Sequence, residues 1–219
     1  MLDKTVAEYL PNLAERIEYA DQITLRMMVK HRSGIPNFTD QEGFDWASNS
    51  LDVLSLVLDK PADFAPGTDY AYSNTNYLLL QKIMTETLGY NYTRYIKNEI
   101  LSPLGLNHTY FSIHEVETEQ LMSGYYVDYE EDLKHLDQGY VASAEDVGIF
   151  LRALNDGSLL KEQEREIYSL IYEYEHTGWV LGYSSIARYH ADIDTVVVQF
   201  TNTTGEDRVI LTGIVYERI

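Results

Sequence analysis

The chain has 219 residues, of which 45% are hydrophobic and 23% are charged, a composition typical of a folded globular protein. Its 35 acidic and 16 basic residues give a formal net charge of -19, which disfavours nucleic acid or an anionic membrane surface as a partner. There is no cysteine, so disulfides and thiolate metal sites are excluded. No apolar run reaches the ~18 residues that span a bilayer, and the first ten residues do not have the pattern of a signal peptide.

Four stretches of the sequence have the pattern of helices joined by polar loops. In the first, Trp46 and Leu54 belong to an apolar stripe along one helical face. The second closes at Gly89, which can adopt a left-handed cap, the third stops at Pro103, and the fourth opens with Ser143 as its N-cap. The predicted helices are residues 44–59, 74–89, 91–106 and 143–157.

The composition changes after residue 176, where β-branched and aromatic residues dominate. Residues 178–190 and 195–202 predict the two strands of a hairpin, because a turn-like Ala-Asp-Ile-Asp separates them. Residues 208–219 fit either a strand or a terminal helix. Helices first and antiparallel strands last indicate an α+β protein rather than an alternating βαβ one.

Two short motifs are the candidates for chemistry. Tyr72 and Asn74 follow a Pro-Gly turn and stand where a predicted helix begins, which would hold the phenol rigidly at a cleft. His176, Thr177 and Gly178 open the first strand of the predicted hairpin, where a glycine lets a ligand approach the strand backbone closely. Tyr-x-Asn alone arises easily in a chain with 19 tyrosines, so its weight comes from this context.

With these motifs the chain resembles the serine β-lactamase and penicillin-binding protein superfamily, in particular its class C-like branch of β-lactamases, D-aminopeptidases, DD-peptidases and esterases. In that branch the second motif is Tyr-x-Asn and the third is often His-x-Gly, as in this sequence. The resemblance runs in the family's order from residue 2 to about residue 204, through LDKTVAEYLP, ITLRMMVKHRSGIP, ILSPLGLNHTYF, GYVASAEDVGIFLRAL and DTVVVQFTN.

The resemblance implies an α+β, β-lactamase/transpeptidase-like fold with a helical lobe, a partial antiparallel sheet and flanking helices. Residues 1–142 are expected to form the mostly helical lobe with the Tyr-x-Asn motif, and residues 143–219 a partial α/β lobe with the His-Thr-Gly strand. Intact family members are commonly exported, so a periplasmic or secreted location is expected for a full-length parent, while this sequence leaves the compartment open.

The resemblance also implies acyl transfer through a covalent serine ester. The implied catalytic residues are Tyr72 and His176, and the implied substrate-binding residues are Asn74, Thr177, Gly178 and Trp179. Tyr72 would be the general base and Asn74 a substrate-orienting amide, while the backbone N–H of Trp179 would form half of the oxyanion hole. The family motifs are shared by enzymes acting on β-lactams, D-amino-acid peptides and esters, so the substrate class stays open.

The family's nucleophile, the serine of a Ser-x-x-Lys motif, is not found before Tyr72. The one match in the chain, Ser158 to Lys161, is predicted instead to be a turn after a helix, with Ser158 capping the next helix. No nucleophile is therefore assigned, and we expect an N-terminally truncated family member that is inactive alone. Without the motif lysine beside it, Tyr72 is expected to remain an ordinary phenol.

Truncation would also expose an apolar groove and a bare sheet edge, because the family's N-terminal strands and nucleophile helix normally complete the fold. A homodimer that covers this groove is therefore expected, besides a small-molecule or peptide substrate with an acyl carbonyl. The alternative function is a non-catalytic protein that binds a peptide or another partner in the inherited cleft.

The histidines show no paired spacing typical of a metal site. One of them, His31, lies in a loop and is expected to be a packing residue. Neither a metal nor another cofactor is expected.

Overall fold

A computed structural model describes residues 1–48, 51–171, 175–205 and 207–218. They form two compact units, the first comprising Met1–Asp45 and Ser50–Tyr95 and the second Trp46–Asn49 and Ile96–Ile219. Helices and small antiparallel sheets occur together, which confirms the predicted α+β class. None of the helices described has both the length and the apolar character that a bilayer crossing requires.

The first unit is built from short helices around one apolar core. The α-helices of this part of the chain are α1 (Val6–Tyr9), α2 (Leu25–Val29), α3 (Asn74–Leu88) and α4 (Tyr92–Ile96), and 3₁₀ turns lie at Pro11–Arg16, Phe38–Asp40 and Val53–Leu56. Thr5 and Thr24 cap α1 and α2 through their side-chain oxygens. The buried core consists of Val6, Leu10, Ile17, Ala20, Ile23, Leu25, Met28, Ile35, Leu79 and Ile83.

Helix α3 confirms the second predicted helix and carries the Tyr-x-Asn motif at its start. Leu79 and Ile83, one turn apart, are buried in the core, and such burial stabilises the fold by about 2 kcal/mol per side chain. The helix ends at Gly89, whose φ of 72° is left-handed and whose N–H donates to the carbonyl oxygen of Thr85. The predicted closing glycine is therefore confirmed.

The predicted helix over residues 44–59 is wrong, because the described part of this range forms a short 3₁₀ turn, Val53–Leu56, and no α-helix. Asn49 and Ser50, which belong to the predicted helix, lie outside the described residues. Within the turn, the Ser55 hydroxyl donates to the carbonyl oxygen of Asp52 at 2.6 Å. Short polar side chains that bond to nearby backbone compete with helix formation, so the apolar stripe alone did not determine the structure.

The other two predicted helices are confirmed. Helix α4 runs on into a π-helical segment, Lys97–Leu101, and stops before Pro103, which cannot continue the backbone ladder. Helix α5 (Ala144–Asn155) opens with Ser143, whose hydroxyl accepts the N–H of Asp146 at 3.1 Å as the predicted N-cap.

The second unit contains a three-stranded antiparallel sheet in the order β4-β5-β6. The strands of the described residues are β1 (Thr109–Tyr110), β2 (Tyr125–Tyr126), β3 (Val141–Ala142), β4 (Glu175–Val180), β5 (Tyr183–His190), β6 (Thr195–Thr201) and β7 (Thr203–Thr204). Two further helices are α6 (Glu162–Ser169) and α7 (Arg208–Tyr216). Helix α5 packs against β5 and β6, and α7 packs against β5. The segment from residue 208, left open by the sequence, is thus a helix, and Ile219 lies outside the described residues.

The predicted hairpin is correct in its second strand and wrong in its first. Strands β5 and β6 pair around the turn at residues 191–194, as expected. The predicted strand over residues 178–190 is broken at Gly182 into β4 and β5. Gly182 has a φ of 91°, and a Cβ at this position would lie 3.2 Å from Cδ1 of Leu133. A residue with a side chain would be strained there, so the glycine permits the turn.

Candidate active site

Tyr72 lies directly before α3 with its ring half-exposed, at 49% of its full accessibility. Its ring stacks on the imidazole of His31, with centroids 4.3 Å apart and an angle of 30° between the planes. Its hydroxyl donates a long hydrogen bond, 3.4 Å, to Oδ1 of Asn74. The two residues of the predicted motif are therefore in direct contact, and the phenol is supported from one side by an aromatic ring.

His31 is buried and holds the motif through its backbone and its ring. Its Nδ1 accepts the N–H of Ser73 at 3.1 Å, and its carbonyl oxygen accepts the N–H of Ala71 at 3.1 Å. A backbone N–H can only donate, so Nδ1 carries no proton and the imidazole is the neutral Nε2–H tautomer. His31 is therefore a buried packing residue, as expected, and it also supports Tyr72 directly, a role that the spacing of the sequence does not indicate.

Asn74 is oriented by a second asparagine that the sequence reasoning missed. Its backbone N–H and its Nδ2 both donate to Oδ1 of Asn37, at 3.0 and 3.3 Å. The Nδ2 of Asn37 in turn donates to the hydroxyl of Thr39 at 2.6 Å. With Nδ2 of Asn74 facing Asn37, its Oδ1 faces Tyr72, so the orientation of the amide follows from the hydrogen bonds on both sides.

Beneath the motif, buried polar side chains join the loop of residues 33–38 to the first turn of α3. The Thr75 hydroxyl donates to the carbonyl oxygen of Pro36 at 2.7 Å, and the Ser33 hydroxyl donates to Oδ1 of Asn76 at 2.7 Å. The Ser73 hydroxyl also donates to Pro36 at 3.3 Å. Satisfied buried polar networks fix a single local structure, so the start of α3 is rigidly held.

Burial and a tyrosine neighbour both act against the ionised form of Tyr72. Partial burial is the larger cause that raises the pKa of its phenol above the ordinary value, and the nearby Tyr70 adds to it. Burial likewise raises the pKa of Tyr77, with smaller contributions from the two other tyrosines. Neither cause supplies positive charge, so Tyr72 is a neutral phenol at neutral pH, as the sequence predicts for this chain.

The second motif lies in the second unit, on β4. His176, Thr177 and Trp179 are exposed, and Nδ1 of His176 donates to the carbonyl oxygen of Thr177 at 2.6 Å. The Trp179 ring meets Trp46 edge to face, with centroids 5.3 Å apart. Among the described strands β4 pairs only with β5, so its other side presents backbone groups that no strand of the described chain occupies.

Gly178 has a packing reason for being glycine. A Cβ at this position would lie 2.5 Å from Oγ of Ser185, its partner on β5. The sequence-based reason, close approach of a ligand to the strand backbone, remains a proposal beside this one.

Ser158 and Lys161 occupy the turn between α5 and α6. The N–H of Ser158 donates to Oδ1 of Asp156 at 2.8 Å, and its hydroxyl lies 3.4 Å from the carbonyl oxygen of Ala153. The prediction that Ser158 caps α6 is wrong, because Lys161 occupies the N-cap position. The intervening Leu-Leu pair moves the start of α6 beyond the reach of the serine side chain.

The structure thus places Tyr72 and Asn74 together in the first unit, and the residues His176 to Trp179 together on one strand of the second. Residues His31 and Asn37 belong to the first group as well. Among the described residues, no cluster of three or more histidine or carboxylate side chains has the geometry to hold a metal ion.

Three kinds of comparison relate the chain to known proteins. The family model described as Beta-lactamase matches residues 1–170. Protein flp of Staphylococcus aureus (strain NCTC 8325 / PS 47) is 30% identical over 129 residues, which are 57% of this chain and 26% of that protein. The chain therefore spans about a quarter of the length of the curated relatives it matches.

Solved structures show the same fold. The D-stereospecific amidohydrolase from Streptomyces sp. superposes with a TM-score of 0.81 at 22% identity, over 96% of this chain and 78% of that chain. The D-amino acid amidase from Ochrobactrum anthropi SV3, complexed with L-phenylalanine amide, gives a TM-score of 0.78 at 20% identity. The match covers 100% of this chain and 78% of that chain. The predicted β-lactamase/transpeptidase-like fold is confirmed. Because the family model covers most of its length, the chain belongs to the Beta-lactamase family.

Proposed function

We propose that this chain carries the proton-transfer and substrate-orienting parts of an acyl-serine hydrolase site. The observation that carries the proposal is the Tyr72–Asn74 contact, supported by His31 on one side and Asn37 on the other. General acid–base chemistry needs a proton acceptor at a fixed position, and substrate binding needs an amide of fixed orientation. The hydrogen bonds at the start of α3 support the proposal, because they hold the phenol of Tyr72 and the amide of Asn74 in fixed positions.

In the proposed reaction the phenolate form of Tyr72 takes the proton from a serine hydroxyl as that oxygen attacks a substrate carbonyl. Both the serine and the positive charge that would form the phenolate would come from a Ser-x-x-Lys motif, which does not precede Tyr72 in these 219 residues. The Nδ2 group of Asn74 has two protons, of which one is directed at Asn37. We propose that the second proton forms a hydrogen bond to an acceptor on the acyl part of the substrate. Orientation of both groups before the substrate arrives lowers the entropic part of the barrier.

Strand β4 is proposed to provide the other substrate contacts. The backbone N–H of Trp179 would bind the developing oxyanion, a contribution of about 3 to 4 kcal/mol in other serine hydrolases. His176, Thr177 and Gly178 would line the pocket beside it. An exposed edge strand suits this role because its outward N–H groups are available to a ligand.

We further propose that the 219-residue chain does not turn over substrate by itself. No Ser-x-x-Lys precedes Tyr72, and loss of a catalytic serine costs on the order of 10⁶ in turnover in a comparable hydrolase. Lowering a phenol pKa from about 10 to about 7 needs about 4 kcal/mol, which one ammonium at ~4 Å could supply. At Tyr72 the pKa is shifted in the opposite direction, upward.

The substrate is proposed to be a small molecule with an acyl carbonyl, of the β-lactam, D-amino-acid amide or peptide, or ester class. The names of two fold relatives, a D-stereospecific amidohydrolase and a D-amino acid amidase, support the amide class. The pocket contacts assigned above are compatible with each of the three, since all present a carbonyl to an oxyanion site.

Titration with D-phenylalanine amide tests the proposal. We expect saturable shifts of the Tyr72 ring and Asn74 amide resonances, with no release of ammonia. Asn74→Ala should weaken binding by about 1 kcal/mol, because one hydrogen bond is lost, whereas Tyr72→Phe should leave binding nearly unchanged. Shifts elsewhere with none at these two residues, or equal affinity of wild type and Asn74→Ala, would refute the assigned roles.

The alternative function is non-catalytic binding, and the observation that favours it is a large apolar cavity in the second unit. A homodimer remains a prediction. Light scattering at tens of micromolar chain distinguishes a dimer from a monomer, and a monodisperse monomer would count against it.

A further inference from the structure

The two tryptophans of the chain, Trp46 and Trp179, contact each other. Their ring centroids lie 5.3 Å apart and their planes meet at 89°, which is the edge-to-face geometry that aromatic pairs prefer. Trp46 belongs to the second compact unit, as β4 does, so the pair is a contact within that unit. Two rings at a right angle form a corner, in which a third ring can contact the face of one indole and the edge of the other.

The tryptophan pair is accessible to a ligand. Trp179 keeps 40% of its full accessibility, and Trp46 is half-buried. Tryptophan is highly buried on average, so an indole that stays this exposed is an informative exception. Exposed tryptophans are typical of recognition sites, because the ring supplies a large rigid contact area at a low cost in side-chain entropy.

The strand that carries Trp179 has an edge suited to an extended ligand. Among the described strands β4 pairs only with β5, so its outer edge has no strand of the described chain beside it. From Thr177 to Val180 the strand carries neither a charge nor a proline, the residues that commonly protect a sheet edge from pairing. This part of the edge therefore keeps its capacity to pair with the backbone-like groups of a ligand.

The two faces of β4 differ at this edge. Successive side chains of a strand point to opposite faces, so the indole of Trp179 lies on one face and the neighbouring Gly178 leaves the other face without a side chain. A ligand added along an edge also directs its side groups alternately to the two faces. A side group on the Trp179 face therefore meets the two indoles.

We propose that the indoles of Trp46 and Trp179 bind an aromatic side chain on the acyl part of the substrate. This inference rests on the proposed function, in which the backbone N–H of Trp179 holds the substrate carbonyl beside the same indole. Trp46 is then a specificity-determining residue, because it forms the second wall of the corner. An aliphatic side chain of similar size would lack the edge-to-face contact.

Tryptophan fluorescence tests the inference without a label, because both tryptophans of the chain belong to the pair. The full chain is titrated with D-phenylalanine amide, D-cyclohexylalanine amide and D-alanine amide, and the Asn74 amide resonance gives each affinity in parallel. D-phenylalanine amide should change the fluorescence saturably and bind at least about 10-fold more tightly than D-alanine amide. It should also bind about 3- to 10-fold more tightly than D-cyclohexylalanine amide, which has no aromatic ring.

Three variants locate the preference. Trp46→Leu should remove most of the preference for the phenyl over the cyclohexyl side chain, whereas Trp46→Phe keeps an aromatic ring and should retain it. Tyr95→Leu, which removes a ring of similar exposure from the first unit, should change neither affinity. Circular dichroism establishes that each variant is folded. Should Trp46→Leu unfold, nuclear Overhauser effects between the phenyl and indole protons of the wild-type complex test the same contact.

Two results would overturn the inference and leave the proposed function standing. One is an equal affinity for the phenyl and cyclohexyl amides while the Tyr72 and Asn74 resonances still shift. The other is an unchanged preference in folded Trp46→Leu, or a saturated complex without phenyl–indole Overhauser effects. If none of the three amides shifts the Tyr72 and Asn74 resonances, the proposed function fails and this inference fails with it.

Discussion

The imidazole of His31 stacks on the phenol of Tyr72 at a centroid distance of 4.3 Å, while its Nδ1 accepts the backbone N–H of the next residue, Ser73. His31 and Ser73 are 42 positions apart in the sequence. One buried side chain thus fixes both the ring and the backbone of the Tyr-x-Asn motif. The stability of the motif should therefore depend on Nδ1 of His31 as well as on the stacking face of its ring.

Replacing His31 by Phe should lower the free energy of unfolding by about 1 to 3 kcal/mol. Phe keeps an aromatic ring beside Tyr72 but leaves the buried N–H of Ser73 without an acceptor. Urea denaturation measures the change. His114→Phe, at an exposed histidine, is the control and should change stability by less than about 0.5 kcal/mol. Equal stability of both variants would show that the Nδ1 bond is unimportant.

Tyr72 should remain protonated from pH 7 to pH 9, because partial burial raises the pKa of its phenol. The ¹³Cζ resonance of labelled tyrosine reports the titration directly, and Tyr72→Phe assigns the signal. Tyr183, whose pKa is raised to about 12 mainly by burial, should titrate later than ordinary tyrosines and serves as an internal reference. A Tyr72 midpoint near 7 would mean that the chain supplies positive charge to the phenol after all.

The same shifts predict loss of stability in alkali. Tyr183 has a higher pKa when folded than when unfolded, so the unfolded chain loses this proton first as the pH rises. The contribution of Tyr183 to the free energy of unfolding is complete below about pH 10, the pKa of the unfolded chain, and is lost progressively toward pH 12. Urea midpoints at pH 8, 10 and 11 should fall less steeply in Tyr183→Phe than in wild type. Parallel pH profiles would contradict the assignment.

Two glycine substitutions should change the free energy of unfolding in opposite directions. Gly182→Ala places a Cβ at a φ of 91° within 3.3 Å of the backbone of Gly124, and should destabilise by about 1 kcal/mol or more. Gly213→Ala, inside α7 with no atom within 4 Å of the new Cβ, should stabilise by about 0.5 to 1 kcal/mol. Thermal unfolding of both variants measures the difference. Destabilisation by Gly213→Ala would show that α7 packs differently.

Removing the side chain of Asn37 should free the amide of Asn74. Asn37→Ala deletes the acceptor of both the N–H and the Nδ2 of Asn74, so we expect a loss of about 1 kcal/mol in stability and faster exchange of the Asn74 side-chain protons. Asn98→Ala, at an exposed position, is the matched control. Unchanged exchange at Asn74 would show that another group fixes its orientation.

Local signals predicted the elements that depend on local chemistry. Helix α3 has a closing glycine, and α5 has a serine cap, and both were found where the sequence places them. The stretch from residue 44 to 59 has the apolar period of a helix but also short polar residues that bond to nearby backbone, and the period alone gave the wrong structure. The break at Gly182 depends on the approach of Leu133, a contact that no nearby residue indicates.

The sequence predicts the two motif residues of the candidate site but not the residues that hold them in place. Tyr72 and Asn74 are recognisable because they are two positions apart in sequence and stand at a helix start. His31 and Asn37 contact the motif only because the folded chain brings a distant loop against that helix. Their spacing in the sequence does not indicate these contacts.

We propose that these 219 residues place Tyr72 for proton transfer and supply substrate contacts, but hold no serine nucleophile that can be acylated. Incubation of the chain with a fluorophosphonate probe and with a penicillin, followed by intact-mass spectrometry, tests it most directly. We predict no mass increase with either reagent. A stoichiometric adduct that maps to one serine, Ser158 included, would contradict the account.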